Sequence, residues 1–335
     1  MRTRALRRSR KIEPHPDVVR LTPEDRRYLT SFYDDSVPLP DGAQEMLRSS
    51  NPRLRELRDE YAQLDLPVLS SSRWNSKAVE SFLDLRWFRG ETLITWHYRE
   101  LPRITALKYF VYLRYVRERD ALRLLDRLDE DGAYGCWTFS YPEERRVSRD
   151  LLDSVNEISF LERELELSAR EQFSVLDIGA GYGRLAHRMC AAYPRLEDYC
   201  CVDAVPESTF LSEYYLKRRG CTPPARVVPL HEIGERLELG SFDLAVNIHS
   251  FSECTHAAVS WWLELLARLG VPRLLVVPNE PDELLTLEAD GSRRDFQPLI
   301  REAGYELRRS ERVIEDPAVR DLVRLYDRFH LFERR

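Results

Sequence analysis

Lysine is nearly missing from this chain: Lys11, Lys77, Lys108 and Lys217 are its only lysines, and arginine supplies the rest of the 51 basic residues. The bias hints at a GC-rich bacterial genome and carries no chemistry. A positive excess is missing as well. The formal net charge of −6 gives no general attraction to nucleic acid. No apolar run approaches the roughly 20 residues that would cross a bilayer, so no membrane partner is expected. The six cysteines, Cys136, Cys190, Cys200, Cys201, Cys221 and Cys254, have no C-x-x-C spacing and read as reduced, mostly buried residues. A signal-peptide core is also lacking, because Met1 to Lys11 is almost all arginine and small residues. That start reads as a solvated tail, and a cytoplasmic location is expected. Internal repeats and low-complexity segments are absent.

What the chain does have is length for a large core, mixed charge, and one stretch on which the rest is organised. Val175-Leu-Asp-Ile-Gly-Ala-Gly-Tyr-Gly183 is an apolar run that ends in an acid and then three glycines at alternate positions. Phe173 to Ile178 reads as a strand buried on both faces. Arg184 to Cys190 carries apolar residues at helical spacing. Glycines between a strand and a helix let the backbone approach a ligand closely. A dinucleotide site wants G-x-G-x-x-G with pyrophosphate at the helix start. Here Arg184 occupies the third glycine position, and the Asp177 carboxylate would oppose a pyrophosphate. An acid at that place suits a positively charged ligand, such as the ammonium and sulfonium of S-adenosylmethionine (SAM).

Further along, Tyr199-Cys-Cys-Val-Asp203 is a second short strand ending in an acid, where doubly wound folds hold ribose hydroxyls. Phe242 to His249 is a third such pattern, ending in polar residues. Strands are expected near 173–178, 199–203, 225–230, 242–248, 272–278, 305–313 and 326–333, with helices near 183–193, 206–219, 256–269 and 293–303. This alternation predicts an α/β fold with a mostly parallel sheet and helices on both faces. A short crossover is expected over 231–240, and a short antiparallel connection between the last two strands.

Ahead of this lies a mainly helical region. Residues 1–70 read as a partly irregular extension with short helices at Thr22–Phe32 and 53–64. Residues 71–165 read as a helical cap rich in aromatics, with an amphipathic helix over Leu107–Leu128 and a glycine break after Asp131. Residues 166–335 are expected to form the catalytic unit. Ser148 is a predicted N-cap for a helix leading into the first strand, with Asn156 and Glu157 placed to contact cofactor or substrate.

The densest polar cluster is Asn247-Ile-His-Ser-Phe-Ser-Glu-Cys-Thr-His256. An imidazole titrates near neutrality, so His249 is the first candidate for a general base, followed by Glu253 and His256. If the segment is helical these three share a face and would be able to hold a divalent metal, while capping and core roles remain open. Asn279 and Glu280 follow the fifth strand and would face an acceptor, or else form a turn.

DIGAGYGRLA, VDAVPES, NIHSFSE and SRDLLDSVNE together resemble a bacterial sugar O-methyltransferase family within the class I SAM-dependent methyltransferases, over about residues 75–335. The resemblance implies a Rossmann-like seven-stranded sheet. It also implies SAM as cofactor, S-adenosylhomocysteine as product, and a small-molecule hydroxyl acceptor on a sugar or glycoside. Carried onto this chain, it puts the cofactor on Asp177, Gly179, Ala180, Gly181, Tyr182, Gly183, Asp203, Ala204 and Asn247. A homodimer contact is one role open to residues 1–70. Rival readings are a polyketide or amine methyltransferase and a non-catalytic SAM-binding or scaffold protein. A nucleic-acid enzyme of this class often carries N/D-P-P-Y/F, where this chain has NIHS.

Overall fold

The structure is a computed structural model, and it describes residues 33–34, 37–69, 74, 84–90, 102–279 and 282–335. The expected helix at Thr22–Phe32, parts of the aromatic segment after Asn75, and Glu280 lie outside the described residues.

The N-terminal region contributes α1 (Pro52–Ala62), α2 (Pro102–Arg117) and α3 (Arg149–Leu165). Asn51 caps α1 with Pro52 at its first position, and the Ser148 hydroxyl caps α3 by accepting from the Leu151 amide at 3.0 Å. The amphipathic pattern over 107–128 is not one helix. It stops at Arg117, because the Asp120 carboxylate accepts from the Leu124 and Leu125 amides at 2.8 and 2.7 Å and caps a separate turn at Leu124–Arg127. A small antiparallel sheet joins Tyr33–Asp34, Thr138–Phe139 and Val147–Ser148.

The main unit then alternates: β1 (Phe173–Ile178), α4 (Arg184–Ala192), β2 (Leu196–Val202), α5 (Pro206–Arg218), β3 (Ala225–Val227), β4 (Leu244–Ile248), α6 (His256–Leu269), β5 (Arg273–Val277), α7 (Gln297–Glu302), β6 (Tyr305–Arg312), α8 (Pro317–Val323) and β7 (Arg328–Arg334). The seven strands form one sheet in the order β3-β2-β1-β4-β5-β7-β6. Strands β1 to β5 are parallel, and β7 runs antiparallel between β5 and β6. This is the Rossmann-like sheet of the class I methyltransferase fold. Right-handed crossovers put α4 and α5 on one face and α6 on the other. Every residue of β1 is buried, as its uninterrupted apolar run requires of a central strand. The outer strand β6 carries Arg308, Arg309 and Glu311, charges that discourage further strand pairing.

Two connections depart from the sequence reading. The crossover over 231–240 is short, as expected, but holds single turns at Leu230–Glu232 and Ile233–Arg236. The last two strands are joined by a long connection that contains α8, rather than a short one. Asp316 caps α8 through the Ala318 and Val319 amides, and Pro317 opens it.

Strand order reverses between β1 and β4, whose crossovers leave in opposite directions. The crevice outside their carboxyl ends is where doubly wound sheets take ligands. The Gly179–Gly183 loop, Asp203 and the segment from His249 to Glu253 all emerge there.

Candidate active site

A cavity of roughly 230 Å³ occupies this crevice. Its floor is Gly179, Gly181, Tyr182, Asp203, Ala204 and Val205, and its far wall is Ile248, Ser250, Glu253, Cys254 and Trp262. Val68, Trp74 and Phe88 from the N-terminal region also line it.

Two glycines have physical reasons to be there. A Cβ on Gly179 would lie 2.3 Å from the Ser250 Oγ, so the loops after β1 and β4 touch only because that side chain is absent. Gly181 has φ +59 and no heavy atom within 4 Å of where its Cβ would be, which leaves the backbone open to the cavity.

Asp203 is fixed from below. Its carboxylate accepts from the Gly181 amide at 3.0 Å and the Val205 amide at 2.9 Å, tying the ends of β1 and β2 together. Burial is the largest influence on it and pushes it up to about 6, against the hydrogen bonds that favour its charge. The N-terminal extension reaches this point as well. On α1, the Tyr61 hydroxyl donates to the Asp203 carbonyl at 3.3 Å, shares a hydrogen bond with Thr209, and accepts from the Leu230 amide at 2.8 Å. Arg53 and Arg58 pair with Glu213 and Glu207 of α5.

Asp177 lies one layer deeper than expected. It is buried below the loop, accepts from the Tyr199 hydroxyl at 2.9 Å, and is pushed up to about 7, chiefly by burial. Asn247 is wholly buried and does not line the cavity. Its amide donates to the Ile178 carbonyl at 2.9 Å and its oxygen accepts from the Phe251 amide at 3.0 Å, so it clamps β4 to β1. Gly183, at φ +85, is the N-cap of α4 and packs against Leu216 and Ser212.

His249, Glu253 and His256 do not share a helix face. His249 has φ +67, Ser250–Glu253 make one tight turn, and Thr255 caps a new helix that starts at His256. The premise of the metal triad therefore fails. His249 turns to Asp327, whose carboxylate lies 3.2 Å from its Nε2. Burial pulls the imidazole down, but the Asp327 hydrogen bond and charge, with Glu253 and Glu157, outweigh it and leave its pKa raised. Glu253 lines the cavity and accepts from the Trp74 indole and from the Asn279 amide at 3.1 Å. The His256 amide donates to Glu288, which anchors the start of α6.

On α3, Asn156 and Glu157 are buried and committed. Asn156 donates to the Val313 carbonyl at 2.9 Å, and Glu157 holds Arg184 through two hydrogen bonds of 2.8 and 2.9 Å. The helix turns these positions inward, away from the cavity wall. Arg184, standing where a dinucleotide loop has glycine, is thus spent on Glu157 and Ser154.

Sequence reading missed Trp74, Ser208, Asp327 and Tyr61, while Phe88 belongs to the aromatic segment that reads as either pocket lining or core. Asp327 and Tyr61 meet their partners only through long-range packing, and nothing local marks them. Glu130, Cys136 and Asp150 converge within 4.8 Å at metal-ligand spacing, but the Arg89 guanidinium fills the cation position there.

No family model matches the chain, and no curated protein does. Among solved structures, the [4+2]-cyclase SpnF is similar at TM-score 0.41 and 12% identity, over 68% of this chain and 95% of that one. A SAM-dependent methyltransferase from Aquifex aeolicus is similar at TM-score 0.37 and 17% identity, over 51% and 87%. Likeness at this level adds nothing to the fold assignment, which rests on strand order and the glycine loop.

Proposed function

We propose that this protein is a SAM-dependent O-methyltransferase that moves a methyl group to a hydroxyl of a sugar or glycosylated natural product. One observation carries the cofactor reading. The cavity wall holds two carboxylates, Asp203 and Glu253, against an open glycine backbone, and no Lys, Arg or His is among the described residues that line it. A pyrophosphate would meet two carboxylates and no cationic side chain there, whereas a sulfonium and an ammonium are favoured. In this reading Asp203 accepts from ribose hydroxyls, and the open backbone at Gly181 takes the close approach of the ligand.

The bound cofactor supplies an activated methyl group; the protein's part is alignment and one proton. A hydroxyl acceptor must lose its proton, and in this reading the His249–Asp327 pair takes it, from a position between the cavity-lining Ile248 and Ser250 although His249 is not itself a lining residue. With Nε2–H donated to Asp327, Nδ1 is left as the proton acceptor. Glu253 has the better position on the cavity wall but the poorer chemistry. Both of its oxygens already accept hydrogen bonds, from the Trp74 indole and the Asn279 amide, which hold the carboxylate toward those donors.

Replacing Asp203 by alanine removes two charge-assisted hydrogen bonds to the ribose, so S-adenosylhomocysteine affinity is expected to fall about 100-fold or more. In the wild type the ligand hydroxyls prefer the ionised carboxylate. Affinity should therefore climb as pH rises through about 6 and level off above it, and Asp203→Asn should remove that step. Calorimetric titration across pH 5 to 8 measures both. Unchanged affinity in Asp203→Ala would remove the ribose assignment.

A further inference from the structure

Beneath the glycine loop runs a buried chain of charges that the proposed chemistry does not use. Tyr182 sits within the loop and lines the cavity. Its hydroxyl donates to the Asp150 carboxylate on the first turn of α3. Asp150 also accepts from Arg89 at 2.9 Å. The Arg89 side chain has no exposure and pairs with Glu130 at 2.8 Å, whose side chain is equally inaccessible. Glu130 in turn accepts from Arg188 of α4 at 2.9 Å and from the Ser148 cap of α3 at 2.6 Å. The ring of Tyr182 is held as firmly as its hydroxyl. It packs on Phe88 and Tyr215 with centroids 5.0 and 5.2 Å away. The backbone around Arg89 is itself pinned, since the Arg89 amide donates to the Tyr134 carbonyl and Gly90 presses against Gly135 so closely that a Cβ would meet the Gly135 oxygen at 1.9 Å.

We infer that Tyr182, Asp150, Arg89 and Glu130 form a latch through which the N-terminal region holds the glycine loop in its ligand-receiving conformation, Tyr182 being the positioning residue that couples the two. The inference rests on the cofactor reading for its ligand but not for its mechanics. The Gly179 and Ala180 amides tie the start of the loop to the Val202 carbonyl, and beyond them its side-chain partners are the carboxylates of Asp203 and Asp150. Releasing one leaves the loop free to sample other conformations, and affinity falls by the fraction of molecules that are no longer competent. Glu130 and Arg188 close the circuit back to α4, the helix that the loop begins, so loop, helix and cap are fixed as one body.

The test is Tyr182→Phe in the full chain, which deletes one hydroxyl and keeps the packing ring. Tyr305→Phe is the control. Its buried hydroxyl donates to the Val271 carbonyl at 2.7 Å on outer strand β6, so it costs a comparable hydrogen bond far from the cavity. Amide hydrogen exchange without ligand should be about 10-fold faster over Gly179–Gly183 in Tyr182→Phe and unchanged there in Tyr305→Phe. Titration well below the melting temperature should show S-adenosylhomocysteine bound about 10-fold more weakly by Tyr182→Phe, with Tyr305→Phe matching the wild type. A purely structural hydroxyl would lower the melting temperature in both variants and move neither readout. Loop exchange in Tyr182→Phe equal to wild type overturns the latch, whatever the titrations give. If the wild type binds no S-adenosylhomocysteine while loop exchange still rises in the variant, the cofactor reading falls and the latch stands.

Discussion

Glu130→Ala is expected to cost about 3–5 kcal/mol of folding stability, the largest stability loss among the substitutions considered. The carboxylate is wholly inaccessible, and both guanidiniums beside it are buried: Arg89 has no side-chain exposure and Arg188 has 3%. Removing the acid leaves the Arg188 charge in the interior without its carboxylate and Arg89 with Asp150 and Asp131 alone, and desolvation of these charges rather than the lost bond dominates the cost. The Ser148 hydroxyl and the Gly132 amide lose an acceptor as well. Urea unfolding at neutral pH measures it as a lower midpoint at constant slope. A loss under about 1 kcal/mol would mean that water reaches this cluster and that it is not a buried network.

The pH dependence of that loss has a definite sign. Burial, the largest single influence, raises the Glu130 carboxyl, but Arg89 and Arg188 together overcome it and hold it well below the usual range. A depressed acid contributes stability that is present above its unfolded value, near 4.3, and is lost as pH falls toward its folded value. The gap between wild type and Glu130→Ala should therefore be constant from pH 7 to about 5 and shrink below that.

His249→Ala is expected to lower methyl transfer about 100-fold or more, the usual size of a lost general base, with S-adenosylhomocysteine affinity unchanged. The reaction is followed with whichever member of a glycoside panel the wild type methylates. A base must be neutral to act, so the rate should rise as pH passes through the His249 value, which Asp327 holds above its ordinary 6.5. Asp327→Asn removes the carboxylate that raises it, and the acid limb of the profile should move to lower pH while the maximum rate falls. If Glu253→Gln abolishes transfer and His249→Ala does not, the proton goes to the cavity-wall carboxylate. If neither variant changes a measurable rate, the chemistry needs no base, as transfer to an amine would not.

The sheet was legible because its signals are local. Phe173 to Ile178 has no position that tolerates water, and the structure buries all six of its residues in the central strand. Helix α6 runs over His256–Leu269 as expected, since Thr255 supplies the N-cap and Gly270 the left-handed C-cap. Where local patterns compete, the sequence misleads. The apolar spacing at 107–128 hides the Asp120 cap, and the three-and-four spacing of His249, Glu253 and His256 has meaning only on a helix that the Thr255 cap does not allow to begin before His256. Asn156, Glu157 and Asn247 have the polarity of site residues and serve as buried ties between elements. No composition or periodicity distinguishes a polar side chain that faces a ligand from one that faces a backbone carbonyl. For the same reason the pairs His249–Asp327, Tyr61–Leu230 and Arg89–Glu130 were invisible: each joins segments distant in the chain.

The crevice between β1 and β4 is expected to receive an adenosyl sulfonium and not a dinucleotide. Calorimetric titration of the wild type with SAM, S-adenosylhomocysteine and NAD+ at pH 7.5 tests it most directly. Saturable one-to-one binding of both adenosyl ligands, with no heat from NAD+, is the expected result. Binding of NAD+ in their place, or of none of the three, would contradict it.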